Sequence, residues 1–95
     1  MIFPEIPENL QAAVALKVGE IKGAKTREYG KDDTTFVRMS ELTGLSESDC
    51  LLVLVSKHVA SIELHETTHA LTREQLVEKY ADIAIYKELY YKLYA

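Results

Sequence analysis

The last third of the chain constrains the fold more than any other stretch. Residues Arg73 to Leu93 contain neither glycine nor proline, and a capping signal stands directly in front of them. Thr72 followed three residues later by Gln75 is a capping-box pattern, in which each side chain satisfies a backbone N–H that the first helical turn leaves without a partner. A long helix over 73–93 is the expectation. Leu76, Tyr80, Ile83, Ala84 and Tyr90 recur along one of its faces, while Tyr86, Tyr90 and Tyr94 stack at intervals of four. Such a face must be buried, and a 95-residue chain has only its other elements or a second copy to offer.

The other elements read by the same logic. Pro4 and Pro7 bracket an extended start over residues 1–7, after which Leu10, Val14, Val18 and Ile21 recur at helical spacing. Gly23 weakens that first helix, and residues 28–33 read as a connection in which Gly30 is free to take a positive φ. Thr34 or Thr35 can cap a short second helix bearing Phe36, Val37, Met39 and Leu42, with Gly44 at its C-terminal end. Ser46 and Asp49 resemble a capping arrangement for a third helix, although Asp is shorter than the Glu or Gln that normally reaches back. Its apolar run Leu51 to Val55 has no clean amphipathic period, and Lys57 and His58 interrupt it before Val59, Ala60, Ile62 and Leu64 resume. A helix buried on most sides is the expectation there. A β-strand over 51–55 competes, because Val53 and Val55 favour one. Together these elements predict a single all-α domain over 1–95, a compact bundle of about four helices.

Charge and composition exclude several function classes. A net charge of −4 argues against a nucleic-acid polymer as partner, since phosphate backbones are bound by an excess of Lys and Arg. No apolar run approaches the roughly 20 residues of a membrane span, so no membrane partner is expected. The lone Cys50 cannot form an internal disulfide and no signal-peptide pattern opens the chain, which makes the cytoplasm the expected address. Six Tyr and no Trp place most aromatic mass on residues with a polar tip. A chain this short buries only about 60–65% of its unfolded surface, so a homo-oligomer is expected, with the Tyr-rich face of the last helix as contact.

Three constellations carry possible chemistry. Lys17, Lys22, Lys25, Arg27, Lys31 and Arg38 form a modest basic excess over Glu20, Glu28, Asp32 and Asp33, either a solvated helix face or a site for a small phosphate. His65-Glu66-Thr67-Thr68-His69 is a literal HExxH. On a helix its two His would share a face and hold Zn²⁺, with Glu66 as general base and Glu88 as a candidate third ligand. Against a zinc hydrolase stand the three Thr at 67, 68 and 72, a poor helix interior, and the capping box just behind the motif, which puts the two His in a connection. The third constellation joins the Tyr29-Gly30 loop, Lys57-His58 in mid-helix, and Glu78, Asp82 and Tyr86 on the last helix. A Lys within an apolar helix needs an anionic partner, either Asp82 in a buried pair or a ligand phosphate. Glu78 and Asp82 share a helix face and can hold Mg²⁺ through a nucleotide phosphate.

In order and spacing, Arg27-Glu28-Tyr29-Gly30, Phe36, Leu52 to His58 with Lys57 central, and Glu78-Lys79-Tyr80-Ala81-Asp82-Ile83-Ala84-Ile85-Tyr86 resemble the small MazG-like helical domains carried by phages and prophages. The resemblance covers residues 13 to 93. It implies an all-α bundle of the nucleoside triphosphate pyrophosphatase type, with sites completed by oligomerisation and a nucleotide as ligand. Carried over by position, it implies a nucleotide site of Tyr29, Gly30, Lys57, Asp82 and Tyr86; Lys25 of the basic stretch would join Lys57 on the phosphates, and Asp82 with Glu78 would hold Mg²⁺. Active members hold the metal with an ExxE pair on one helix and an ExxD pair on the next. Here the first helix has no ExxE, Glu78 and Asp82 stand four apart, and the Arg that often follows the family's Lys is absent. Binding without hydrolysis, by an oligomeric interaction protein or one that sequesters nucleotides, is the alternative.

Overall fold

A computed structural model describes residues 3–25 and 35–94, with backbone alone at 24 and 25. A 3-10 turn at Glu8–Leu10 leads into α1 (Gln11–Lys25), followed by α2 (Thr35–Thr43), α3 (Glu47–Thr68) and α4 (Arg73–Leu93). Among the described residues there is no strand, so the fold is a small all-α bundle and residues 51–55 are helical. Thr34 and the Tyr29-Gly30 connection lie outside the described residues.

Helix α4 is the centre of the bundle, because both α1 and α3 pack on it while α2 packs chiefly on α3. Its start is built as the sequence predicts: Gln75 N donates to Thr72 Oγ1 at 3.1 Å and Thr72 N donates to Gln75 Oε1 at 2.9 Å. Ser46 caps α3, its Oγ accepting from Asp49 N at 3.1 Å. Gly44 closes α2 with φ +76°, the left-handed conformation that a side chain disfavours, and its N–H donates to Ser40 O.

The chain's path follows from a few contacts. Phe3 packs on Tyr90 and Tyr91 near the end of α4, with ring centroids 5.8 and 6.1 Å apart. Pro4 and Ile6 then lie beside Tyr80 and Ile83, so the N-terminal segment descends along α4. After the turn at Pro7 the chain climbs back: Lys17 meets Glu78 at 3.6 Å and Lys22 meets Glu88, which makes α1 parallel to α4. The short link 69–72 makes α3 and α4 an antiparallel hairpin.

The core joins Leu10 and Val14 of the first helical segment, Leu51, Val55 and Ile62 of α3, and Val77, Tyr80, Ala81 and Ile83 of α4. Two expectations need correction here. Helix α3 is not buried on most sides: it buries one face, and Val53 and Leu64 on the other are 53% and 61% exposed. Five consecutive apolar residues span more than one helical turn, so they cannot all face the same neighbour. Nor does one chain leave the tyrosines of α4 uncovered. Tyr80 is buried, and Tyr86, Tyr90 and Tyr94 pack partly buried against the core, leaving only Tyr91 exposed among the five tyrosines of that face.

Candidate functional site

The polar residues that α3 and α4 bring together are His58, Gln75, Glu78, Lys79 and Asp82, which with Leu71 line a cleft of about 230 Å³. Helical spacing explains the α3 contribution. Leu51, Val55, His58 and Ile62 follow one another at steps of four, three and four, so His58 takes the third place in a stripe whose other members are buried. Its Nε2 lies 3.8 Å from Asp82 Oδ2, and its ring stacks on Tyr86 with centroids 6.2 Å apart. Glu78, one turn before Asp82, is engaged from the other side by Lys17 of α1. Lys17 also reaches Glu20 at 3.6 Å, so this ammonium bridges two helices.

Lys57 is the main departure from the sequence reading. It is exposed and belongs to no ion pair among the described residues, so the buried Lys57–Asp82 pair does not form. A neighbouring position on a helix is rotated by about 100°, and because His58 faces the core Lys57 faces solvent. The cation that lines the cleft is instead Lys79, partly buried and one turn along α4 from Gln75. Of the other expected nucleotide-site residues, Asp82 and Tyr86 meet at His58, whereas Tyr29 and the Lys25 side chain lie outside the described residues.

The carboxylates Glu78 and Asp82 suit Mg²⁺ by donor type, since that ion takes hard oxygen ligands and is commonly held by one or two carboxylates together with substrate phosphates. Among the described residues, no three His, Cys, Asp or Glu side chains gather around a common metal position. Phosphate oxygens and water would therefore have to complete the shell of any Mg²⁺ bound there.

The HExxH string is divided by the end of a helix. His65 lies in the last turn of α3, whereas His69 is the C-cap, in the left-handed conformation at φ 51°. The connection expected around both His thus begins only at the second one. Their rings meet edge to face with centroids 5.8 Å apart, and His65 Nδ1 accepts from Leu71 N at 3.0 Å. Glu88 stands fifteen residues into α4, roughly 22 Å along its axis from the hairpin link, and is paired with Lys22. It is out of reach as a third zinc ligand.

Sequence reasoning did not single out Lys79, placed Lys17 only within the basic stretch, and gave Glu66 a role only beside zinc. Burial first, and then the Glu66 carboxylate, push the Tyr80 phenol above its ordinary pKa. The stripe Leu51, Val55 and Ile62 around His58 is matched by Val53, Ala60 and Leu64 around Lys57, so the sequence held no signal that singled out His58.

No family model, curated protein or solved structure matches this chain.

Proposed function

We propose that this chain binds the phosphate tail of a nucleotide in the α3–α4 cleft, as a helical protein of the MazG-like type. The observation that carries the reading is the convergence of His58, Lys79, Glu78 and Asp82 on one cleft in an otherwise apolar helix interface. Lys79 supplies the cation for phosphate oxygens, and Glu78 with Asp82 shares Mg²⁺ with them. When bound, that ion neutralises phosphate charge. The carboxylates must first release Lys17 and His58, and the Lys17 ammonium is then free to face phosphate. A cleft of about 230 Å³ is smaller than the usual pocket for a whole organic ligand. Base and sugar therefore extend beyond it, where a second copy of the chain can complete the site.

Thermal unfolding with a deoxynucleoside triphosphate and Mg²⁺ tests this. Ligand at a hundredfold excess over Kd stabilises a folded state by about 2.7 kcal/mol, which for a domain of this size raises Tm by several degrees. The wild type and Lys57→Met should both show the rise, and Asp82→Asn and Lys79→Gln should lose it while keeping their helical circular dichroism. Absence of a shift with every common nucleotide, or a shift retained in both cleft variants, refutes the reading.

A second reading, of a different class, is a non-enzymatic helical interaction protein that self-associates. It is favoured by α2, which buries none of its residues, and by Leu42, which is 68% exposed with Val37 and Leu45 also exposed nearby in sequence. Light scattering with wild type and Leu42→Gln separates the two: an oligomer dissolved by this substitution, with no nucleotide effect, supports the interaction protein.

A further inference from the structure

A wider cleft lies on the other flank of α4. The descending N-terminal segment supplies Pro4, Glu5 and Ile6, Gln11 opens α1, and α4 supplies Tyr80, Ile83, Ala84, Lys87, Glu88 and Tyr91. On a helix with 100° per residue, these α4 positions centre almost opposite Gln75, Glu78, Lys79 and Asp82, so the two clefts are separate. This one is an open groove of about 700 Å³, within the size range of pockets that hold small organic molecules.

Its walls differ in chemistry. Pro4, Ile6, Ile83 and Ala84 are apolar, and the exposed ring of Tyr91 adds an aromatic face at the rim. Tyr80 is 6% exposed, yet among the described residues its hydroxyl has no hydrogen-bond partner. The hydroxyl oxygen still touches solvent, so a ligand acceptor can take the place of water there. Burial and Glu66 keep it protonated, so at neutral pH it is a donor. The charges at the rim are unequal in availability. Glu88 is already neutralised by Lys22, whereas Lys87 has no ion pair among the described residues, and Glu5 sits on the other wall.

We propose that the cleft between the N-terminal segment and α4 binds a flat, largely apolar organic anion, such as an aromatic carboxylate or sulfonate. Its ring system lies against Ile6, Ile83 and Ala84, the Tyr80 hydroxyl donates to a polar atom of the ligand, and its anionic group pairs with Lys87. Glu5 orients the ligand by repelling the anionic group from its own wall. The site is independent of the nucleotide reading, because none of its residues lines the His58 cleft.

The aromatic sulfonate 1-anilinonaphthalene-8-sulfonate is a direct probe, since its fluorescence rises when it leaves water for an apolar site. The wild type should give saturable, one-to-one binding. Lys87→Glu, a surface change that leaves the fold alone, should weaken it about tenfold or more. Tyr80→Phe should weaken it by a smaller factor, and Ala84→Leu should block the cleft. Leu42→Gln, at an exposed apolar residue elsewhere, should change nothing. Non-saturable fluorescence overturns the proposal, as does saturable binding that survives both Lys87→Glu and Ala84→Leu or that disappears in Leu42→Gln.

Discussion

Two substitutions six residues apart on α3 should differ sharply in cost. Leu51 is fully buried between α3 and its neighbours, whereas Lys57 is exposed and unpaired among the described residues. Leu51→Ala removes the buried branched end of the side chain and leaves a cavity, which costs about 2–5 kcal/mol. Taking about 3 kcal/mol and a sensitivity of about 4–8 °C per kcal/mol for a domain of this length, Tm should fall by about 12–24 °C. A small domain has only about 5–15 kcal/mol in total, so that variant is close to the edge of folding. Lys57→Met changes a solvent-facing side chain and should stay within about 0.5 kcal/mol of wild type. Urea unfolding followed by circular dichroism at 222 nm measures both, and the slope should be unchanged for Lys57→Met so that the midpoint alone reports stability. If Lys57→Met instead costs about 3–5 kcal/mol, as stranding a buried carboxylate would, the face assignment of α3 is wrong and Lys57 does pair with Asp82.

Removing the cap of α4 with Thr72→Ala should cost about 1 kcal/mol, and in a double-mutant cycle with Gln75→Ala the two losses should be less than additive; strict additivity would mean that the reciprocal hydrogen bonds contribute nothing. Tyr80 has a raised pKa in the folded state, so its contribution is complete below the ordinary tyrosine value near 10 and is lost as pH rises through the higher folded value. Stability of the wild type should therefore fall on going to strongly alkaline pH, and Tyr80→Phe should flatten part of that slope; an unchanged slope would assign it to other tyrosines such as Tyr94, whose pKa is raised by burial and by Glu47.

What could be read from the sequence depended on whether a feature was local. The capping box of α4, the Ser46 cap and the Gly44 turn are each decided within four or five residues, and each is present in the expected place. The Leu10–Val14–Val18–Ile21 face also holds, because a single clear period fixes it. The rotational setting of α3 was harder. Its apolar residues surround the helix, with Val53 and Leu64 as hydrophobic as Val55 and Ile62, so composition does not say which face is inward; contact with α4 decides that His58 and not Lys57 meets Asp82. The tyrosines misled in the opposite direction, since a phenol can lie partly buried on the core with its polar edge near solvent and needs no partner chain to cover it. In the HExxH string the two Thr did not stop α3 before Thr68, because Thr67 and Thr68 place their hydroxyls on Leu64 O and remain helical.

Helix α2 has a consequence for how the protein breathes. It buries none of its nine residues and leans chiefly on α3, through contacts such as Thr43 Oγ1 with Cys50 Sγ at 3.6 Å. Segments with so little buried apolar surface open at a small fraction of the global unfolding free energy. The amides of α2 should thus exchange with solvent long before those of α4, while α1, α3 and α4 keep their packing. The native state is then two cooperative units of unequal strength, a three-helix body and a hinged flap over the start of α3 whose opening uncovers Cys50 without unfolding the rest.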